Sequence, residues 1–267
     1  MQPITSRDNP FFKQLVKLGK FARQRKINGQ TLLDGMHLIQ SYYDAELGTP
    51  TSLIISESAV KSSEILHFLE NITSEQGTKK IVLSDALFLQ VSPVKTPTGI
   101  LALISIPKIN THSNAENAFC VMLEAIQDPG NLGSILRSAA AAGVNDVYLS
   151  SNCTDVWSPK TLRAAMGAHF LLRLHEHSNL IAIAQKLHGK IITTSLQAKK
   201  SLYQTSLIGP VTFIFGNEGT GLSADLSLVA SEQIIIPMLG KTESLNVSAA
   251  AAVCLFERVR QVNTSAM

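Results

Sequence analysis

The sequence has few cysteines, few charged residues and no long apolar run. Its three cysteines (Cys120, Cys153 and Cys254) are far apart and form no C-x-x-C pair, which excludes a disulfide-rich scaffold and predicts reduced thiols. No stretch approaches the roughly 18 apolar residues of a membrane span, and the N-terminus lacks the apolar core of a secretory signal. We therefore predict a cytoplasmic protein without a metal site.

Charged residues make up 16% of the 267 residues and apolar residues 45%, which excludes a disordered or strongly supercharged chain. The length predicts two domains, at roughly 100 to 200 residues each. The chain has 23 basic and 20 acidic residues, and the whole basic excess lies before Asn110. Net charge alone indicates no partner, but its distribution draws attention to the N-terminal part.

The first 26 residues are strongly basic. Asp8 is their only acid, against seven basic residues: Arg7, Lys13, Lys17, Lys20, Arg23, Arg25 and Lys26. Asp8 or Asn9 followed by Pro10 predicts a helix start. The predicted helix carries an apolar stripe of Phe12, Leu15, Val16 and Phe21. Its basic face is either a solvated surface or a surface that binds nucleic-acid phosphates.

Apolar runs of strand length alternate with helical patterns along the rest of the chain. From Thr31 to Ile106 they predict a small α/β domain, and a polar, proline-containing stretch at 107–117 predicts a linker. A second β/α series begins at Ala118 and closes with an apolar helix from Ser244 to about Val259. We expect an α/β protein with domains at 1–106 and 118–267.

Three predicted strands of the second domain end in loops that are rich in polar residues and glycine, where open α/β sheets bind ligands. The first loop is predicted to start a helix near Asn131, with Arg137 nearly two turns further along one side of it. As an alternative, Asn131 is only a helix cap and Arg137 a surface residue. In the third loop, a strand ends at Pro237 and the segment from Ser244 to Asn246 opens the last helix, offering polar groups at a helix N-terminus.

The second loop, GNEGTG from Gly216 to Gly221, places three glycines in six residues. This predicts close approach of the backbone to a ligand or to another chain segment. The loop has neither the spacing and lysine of a P-loop nor the G-x-G-x-x-G order of a dinucleotide site, which weakens both of those readings. Glu218 within it is either a helix-entry carboxylate or a residue with a ligand-binding or catalytic role.

Together, the three loops resemble the motifs of the SpoU family, also called TrmH, of S-adenosylmethionine-dependent RNA ribose 2'-O-methyltransferases in the SPOUT superfamily. The matching positions are Asn131, Gly133 and Arg137 in the first motif, Gly216, Glu218 and Gly221 in the second, and Pro237, Met238 and Ser244 to Ser248 in the third. The segments LLDGMHLIQ (32–40) and PTGILALI (97–104) are similar to the L30e-like substrate-binding domain that many members carry.

The resemblance implies features that composition and periodicity do not indicate. One is a deep trefoil knot near the C-terminus, a topology that general folding rules would not predict. Another is a homodimer with its site near the subunit interface. The cofactor implied is S-adenosyl-L-methionine, and no metal is required.

The resemblance also assigns roles to residues. The implied cofactor-binding residues are Thr194, Ser195, Leu196, Phe215, Gly216, Asn217, Gly221, Ile236, Pro237, Met238, Leu245 and Asn246. The implied catalytic residues are Asn131, Arg137, Glu218, Ser244 and Asn246. In such an enzyme the basic N-terminal face becomes an RNA-binding surface, with candidates Lys13, Lys17, Lys20, Arg23, Arg25 and Lys26, together with Arg137.

The family residue that matches Arg137 is usually assigned to the ribose hydroxyl, even as a general base. Deprotonating an arginine side chain near pH 7 costs about 7 kcal/mol, because its pKa in water exceeds about 12. We therefore prefer a role in which Arg137 binds the target phosphate and stabilises the developing alkoxide. Asn131, Glu218, Ser244 and Asn246 would then orient Arg137, the ribose and the cofactor by hydrogen bonds.

The sequence leaves the RNA substrate open. By analogy with the family, ribosomal RNA is expected first and transfer RNA second. A protein that binds RNA through a degenerate, inactive methyltransferase domain is the competing class, and the intact motifs argue against it.

Overall fold

The computed structural model describes residues 2–72, 77–108 and 119–265. Most of the predicted linker, at 109–117, and Ala118 lie outside the described residues. The chain divides into two compact units. The first comprises the described parts of Met1–Lys108 with Trp157–Phe170, and the second those of Ile109–Val156 with Leu171–Met267.

The first unit is a four-stranded mixed sheet covered by helices. Its strands are β1 (Gln30–Asp34), β2 (Ser52–Ser56), β3 (Lys79–Leu83) and β4 (Ile100–Ser105), in the order β1-β4-β2-β3. β4 is antiparallel to β1 and β2, and β2 is parallel to β3. The helices before Ser105 are α1 (Pro10–Lys20), α2 (Ala22–Asn28), α3 (Met36–Asp44), α4 (Ser63–Ile72) and α5 (Asp85–Val91).

Helix α1 begins where the sequence predicts. The side chain of Asn9 accepts hydrogen bonds from the backbone N–H groups of Phe11 (2.9 Å) and Phe12 (3.2 Å), and Pro10 occupies the first turn. The helix ends at Lys20, and α2 starts after an extended Phe21. The prediction that Phe21 belongs to the apolar stripe is wrong, because this break leaves it 55% exposed while Leu18 is buried in its place.

One apolar core joins α1 to the sheet and to α5. Phe12, Leu15 and Leu18 of α1 cluster with Phe88 and Val91 of α5, and with residues of β1 to β4. Burial of a side chain of this size stabilises a fold by about 1.5 to 3 kcal/mol. The apolar face of α1 is thus fixed inward, and its basic residues are left facing solvent.

The segment Trp157–Phe170 contains α7 (Pro159–Ala165) and belongs to the first unit by its contacts. The hydroxyl of Thr31 donates to the carbonyl of Trp157 (2.8 Å), and Phe170 packs edge-on against Tyr42. The predicted domain bounds place this segment in the 118–267 domain. The local pattern could not separate it, because β/α alternation continues on both sides.

The second unit is built on seven parallel strands. They are β5 (Phe119–Leu123), β6 (Asp146–Leu149), β7 (Arg173–His175), β8 (Lys190–Thr194), β9 (Lys200–Ser201), β10 (Val211–Phe215) and β11 (Glu232–Ile235). Their order is β7-β6-β5-β10-β8-β11-β9. Its helices are α6 (Pro129–Ala141), α8 (Leu180–Ala184), α9 (Ala224–Leu228) and α10 (Val247–Ser265).

The predicted mixed α/β fold is confirmed, and two details differ. The two-residue strand β9 was not predicted, because so short a strand carries no apolar periodicity. The last helix begins at Val247 rather than Ser244, so Ser244 precedes it. The trefoil knot stays a prediction. Among the described residues, no helix has the length and apolarity required to cross a membrane.

Candidate active site

The candidate site lies at the carboxyl edge of the parallel sheet, where the strand order reverses. From β5 the chain continues to β6 and β7 on one side, whereas β10, β8 and β11 lie on the other. β5 and β10 are direct neighbours, with Leu123 opposite Phe215. The loops that follow these two strands therefore meet at the topological switch point, the usual ligand position in such sheets.

The loop after β5 is held by side-chain hydrogen bonds. Asp128 caps α6, since its Oδ1 accepts from the backbone N–H of Asn131 at 2.8 Å. The helix therefore begins at Pro129, and the alternative that Asn131 is its cap is wrong. Ala125 adopts a left-handed conformation (φ 53°), and its carbonyl accepts from Asn217 Nδ2 at 2.8 Å.

The glycines of the loop after β10 let that loop close on itself. Asn217 and Gly221 exchange two backbone hydrogen bonds of 3.0 Å, and Gly221 has a φ of 70°. A Cβ on Gly216 would fall far inside van der Waals contact with the Gly221 carbonyl. The close approach predicted from the glycines is therefore to another part of the same loop, the loop that carries Glu218.

Glu218 joins the two loops. Its carboxylate accepts from the backbone N–H groups of Gln127 (3.1 Å) and Asp128 (3.1 Å) and from Asn131 Nδ2 (3.1 Å). Burial opposes ionisation of this carboxyl, but the hydrogen bonds from Asn131, Asp128 and Gln127 outweigh it and lower the pKa of Glu218. Glu218 is thus an ionised structural acceptor at neutral pH rather than a proton donor.

Asn131 extends this network to the last helix. Its Oδ1 accepts from Asn246 Nδ2 at 3.0 Å, while Asn246 Oδ1 accepts from the backbone N–H (2.9 Å) and the hydroxyl (2.7 Å) of Ser248. Asn246 therefore caps α10 and holds Asn131 at the same time. Three of the predicted catalytic residues, Asn131, Glu218 and Asn246, form one hydrogen-bonded chain across the three sequence motifs.

Arg137 is exposed on α6 and makes no hydrogen bond or ion pair with any residue that the structure describes. At about 100° per residue, the six residues from Asn131 place the two side chains about 120° apart around the helix. The expectation that they share one side of the helix is therefore wrong. None of the four predicted orienting residues forms a hydrogen bond or an ion pair with Arg137 in the described part of the chain, so its guanidinium is available to a ligand.

A cavity of about 150 Å³ opens beside this network, at the ends of β8 and β11. Its lining residues are Thr194, Ser195, Leu196, Ile235, Ile236, Met238, Ser244, Leu245 and Ala250. Six of the predicted cofactor residues are among them, together with Ser244. The predicted cofactor residues outside the lining are Phe215, Gly216, Asn217, Gly221, Pro237 and Asn246. Of these, Phe215 is only 1% exposed and supports the loop from within the sheet.

The sequence did not single out every residue of the site. Ile235 and Ala250 line the cavity but were not assigned to it. Ala250 lies in the alanine run of α10, whose small side chains leave space beside the helix. Gln127 had no signal at all, since its contribution to the Glu218 contact is a backbone N–H group, which every residue except proline has.

The basic residues of the first unit divide into two groups. Lys13, Lys17 and Lys20 of α1 are exposed, as are Arg23 and Lys26 of α2. Arg25 is only 4% exposed, and its guanidinium donates to the carbonyls of Leu18 and Gly19. The prediction that Arg25 binds RNA is wrong, because these contacts hold its charge inside the unit at the end of α1.

Comparison with known proteins assigns both parts of the chain. The SpoU rRNA Methylase family matches residues 118–256, and the MRM3-like substrate binding domain matches residues 9–102. The match covers more than half of the chain, so the protein belongs to the SpoU rRNA methylase family.

Three relatives extend over nearly the whole chain. An uncharacterized tRNA/rRNA methyltransferase of Synechocystis sp. is 33% identical over 261 residues, 97% of this chain and 93% of the relative. The 23S rRNA (guanosine(2553)-2'-O)-methyltransferase RlmP of Bacillus subtilis is 29% identical, over 96% of this chain and 98% of that protein. The crystal structure of the SpoU methyltransferase AviRb from Streptomyces viridochromogenes, in complex with AdoMet, has the same fold, with a TM-score of 0.85, 24% identity and coverage of 96% and 99% of the two chains.

Proposed function

We propose that this protein transfers a methyl group from S-adenosyl-L-methionine to a ribose 2'-hydroxyl of ribosomal RNA. The observation that carries the proposal is the hydrogen-bonded chain Glu218–Asn131–Asn246 at the carboxyl ends of adjacent parallel strands. These three hydrogen-bonded residues lie beside the cavity, and Asn131 belongs to α6, the helix that carries Arg137. Together, the three residues join all three SpoU motifs into one site.

The cavity fits one part of the cofactor. An apolar cavity of about 150 Å³ accommodates one aromatic group. A pocket that holds a whole ligand of the size of S-adenosyl-L-methionine has a volume of roughly 300 to 1,000 Å³. Apolar side chains of Leu196, Ile236, Met238 and Leu245 line most of it, and hydroxyls of Thr194, Ser195 and Ser244 offer hydrogen bonds. These residues would hold the adenine group of the cofactor. The rest of the cofactor would extend along the backbone of the loops. The sulfonium supplies an activated methyl group and needs no metal.

The other requirements of the reaction fall to the protein's own side chains. The attacking 2'-oxygen has to be positioned in line with the methyl group, and its negative charge has to be stabilised as the proton leaves. Arg137, exposed and charged, binds the phosphate next to the target ribose and stabilises that charge, while the proton passes to solvent. Asn131 and Asn246 keep the loops in register so that this geometry is formed before the RNA binds.

The relatives favour ribosomal RNA as the substrate. RlmP of Bacillus subtilis, which this chain spans almost completely, is a 23S rRNA guanosine 2'-O-methyltransferase, and the N-terminal match is to a substrate binding domain.

The proposal predicts that the purified protein transfers tritiated methyl from S-adenosyl-L-methionine to ribosomal RNA from a strain that lacks its gene. The label should appear in a dinucleotide that resists alkaline hydrolysis, because a methylated 2'-oxygen can no longer attack the adjacent phosphate. Transfer RNA from the same strain should stay unlabelled. Label in a base, or preference for transfer RNA, would contradict the proposed reaction or the proposed substrate, respectively.

We also propose that α1 contributes to RNA affinity. Replacing Lys13, Lys17 and Lys20 together by glutamine should weaken RNA binding and lower the slope of log affinity against log salt by about 2, because each phosphate contact contributes about 0.7 to 0.9 to it. Cofactor affinity, measured by calorimetry, should not change. Lys186→Gln is the control. Lys186 is exposed near the amino end of β8, at the edge of the sheet opposite to the candidate active site. An unaltered salt slope in the triple variant would exclude α1 from the RNA surface.

Three further features of the family are proposed for this chain. They are a homodimer, a trefoil knot in the second unit and a cytoplasmic location. The exposed apolar side chains of Phe256 and Val262 on α10 support the first, since a second copy could cover them. Sedimentation equilibrium would measure the oligomeric state directly.

A further inference from the structure

The first unit contains a cavity of about 310 Å³, at the carboxyl ends of β2 and β3. Its polar lining comes from Ser56, Ser58, Ser62, Thr98 and Asp85, and its apolar lining from Ala59, Phe88, Leu89, Pro97 and Gly99. A site with apolar walls and a few convergent polar groups has the composition typical of a pocket for a small organic group. All of its lining residues belong to the first unit, whereas the residues of the candidate active site belong to the second.

Asp85 is fixed at the rim of this cavity. Its Oδ1 accepts from the backbone N–H (3.1 Å) and the hydroxyl (2.9 Å) of Ser58. These hydrogen bonds lower the pKa of Asp85, so the group is an ionised carboxylate. A carboxylate can accept about four hydrogen bonds, so Asp85 keeps capacity for a donor group on a ligand.

The backbone around the cavity is adapted to glycine. Gly99 has a φ of 93°, and a Cβ at this position would lie 2.5 Å from Ala59 Cβ and 3.1 Å from Ser56 Oγ. Any larger residue would push the walls apart. Ser56 itself is buried, and its hydroxyl accepts from the N–H of Ala59 (3.3 Å), so the floor of the cavity is ordered and polar.

The cavity also adjoins the basic helix α1 through α5. Asp85, Phe88 and Leu89 of the lining belong to α5, and Phe88 lies in the same apolar cluster as Phe12 and Leu15 of α1. The exposed lysines of α1 lie on its opposite, solvent-facing side, so the first unit carries both a basic surface and this cavity. Unpaired RNA bases are recognised in this way, with the backbone on basic residues and one base in an apolar pocket that reads its Watson–Crick edge.

We propose that this cavity binds one unpaired nucleobase of the RNA substrate and selects a base that presents an amino group to Asp85. A carboxylate accepts hydrogen bonds and donates none, so it favours the exposed exocyclic amino group of cytosine, adenine or guanine. Uracil has no amino group, and its one donor, N3–H, lies between two carbonyl oxygens that a carboxylate repels. The inference rests on the proposed function for the presence of RNA, and it adds a sequence preference that lies outside the methyl-transfer site.

Octamers of cytidine and of uridine, labelled with fluorescein, test this with the full chain by fluorescence anisotropy at fixed salt. The two RNAs carry the same backbone charge and differ only at the base edge. We expect the cytidine octamer to bind about 10-fold more tightly, the factor that corresponds to 1.4 kcal/mol. Asp85→Asn should remove or reverse this preference, because the amide still accepts from Ser58 but now offers donors to the carbonyl of uracil.

Asp44→Asn is the matched control, since Asp44 is an exposed acid of α3 in the same unit and does not line the cavity. It should keep the preference of the unmodified chain. Equal affinity for the two octamers, or an unchanged preference in Asp85→Asn, would overturn the proposal. Methyl transfer to ribosomal RNA by the unmodified chain is measured in parallel. Its presence together with equal octamer affinities rejects only the base pocket, whereas its absence rejects the proposed function independently.

Discussion

Replacing Arg137 by alanine is expected to lower the rate of methyl transfer by about 10² to 10³-fold, the usual cost of removing one group that stabilises a developing oxyanion. The affinity for S-adenosyl-L-methionine should stay within about twofold, because Arg137 is exposed on α6 and does not line the cavity. Since Arg137 makes no hydrogen bond or ion pair within the described part of the chain, its removal should leave the free energy of unfolding within about 0.5 kcal/mol. Single-turnover kinetics, calorimetry and thermal unfolding measure these three quantities.

A second substitution of Arg137 distinguishes between two roles of its guanidinium, that of a general base and that of a group that positions the phosphate. Arg137→Lys keeps a positive charge but loses the two-pronged contact with a phosphate. If Arg137 were the base, a lysine would release its proton at lower pH, and the ascending limb of the pH–rate profile would move down by about 2 units or more. If Arg137 positions the phosphate and stabilises charge, the profile should keep its shape, with a lower rate at every pH and weaker RNA binding. A shifted limb would therefore contradict the role that we propose.

Replacing Glu218 by alanine is expected to lower the turnover number by about 10²-fold. The alanine variant loses the acceptor for Gln127 N, Asp128 N and Asn131 Nδ2, so the loop after β5 and Asn131 are no longer fixed against the loop after β10. A displacement of about 1 Å in a reacting geometry is enough for an effect of this size. Because Glu218 is exposed, water can replace the lost hydrogen bonds, and the loss of stability should stay below about 1 kcal/mol.

Glu218→Gln and pH provide the controls for this prediction. Glutamine keeps one acceptor oxygen and should retain more activity than alanine. Because the folded state lowers the pKa of Glu218 below its ordinary value of 4.5, the stabilisation from its carboxylate is full above that pH and is lost as pH falls through the lowered value. The glutamine variant should lack this acid-side loss. Asp225→Asn, an exposed acid on α9, should behave as the unmodified chain. If Glu218→Ala keeps its turnover number, the network has no positioning role.

The order of the elements and the identity of the motif residues could be predicted from the amino-acid sequence. Local rules were sufficient for this: Asn9 and Pro10 set the start of α1, and apolar runs such as VTFIF set buried strands. The family resemblance then singled out Asn131, Glu218 and Asn246. Along the chain, Asn131 is 87 residues from Glu218 and 115 residues from Asn246, the two side chains to which it is hydrogen-bonded.

Features that depend on contacts between distant segments could not be predicted in this way. Only the strand order brings β5 next to β10, so that Glu218 can hold Asn131. Arg25 and Lys26 are adjacent basic residues, and the sequence does not distinguish them. In the structure, the turn between α1 and α2 buries Arg25 and leaves Lys26 exposed. Burial and hydrogen bonding depend on which groups meet in space, and residue type and spacing along the chain do not specify that.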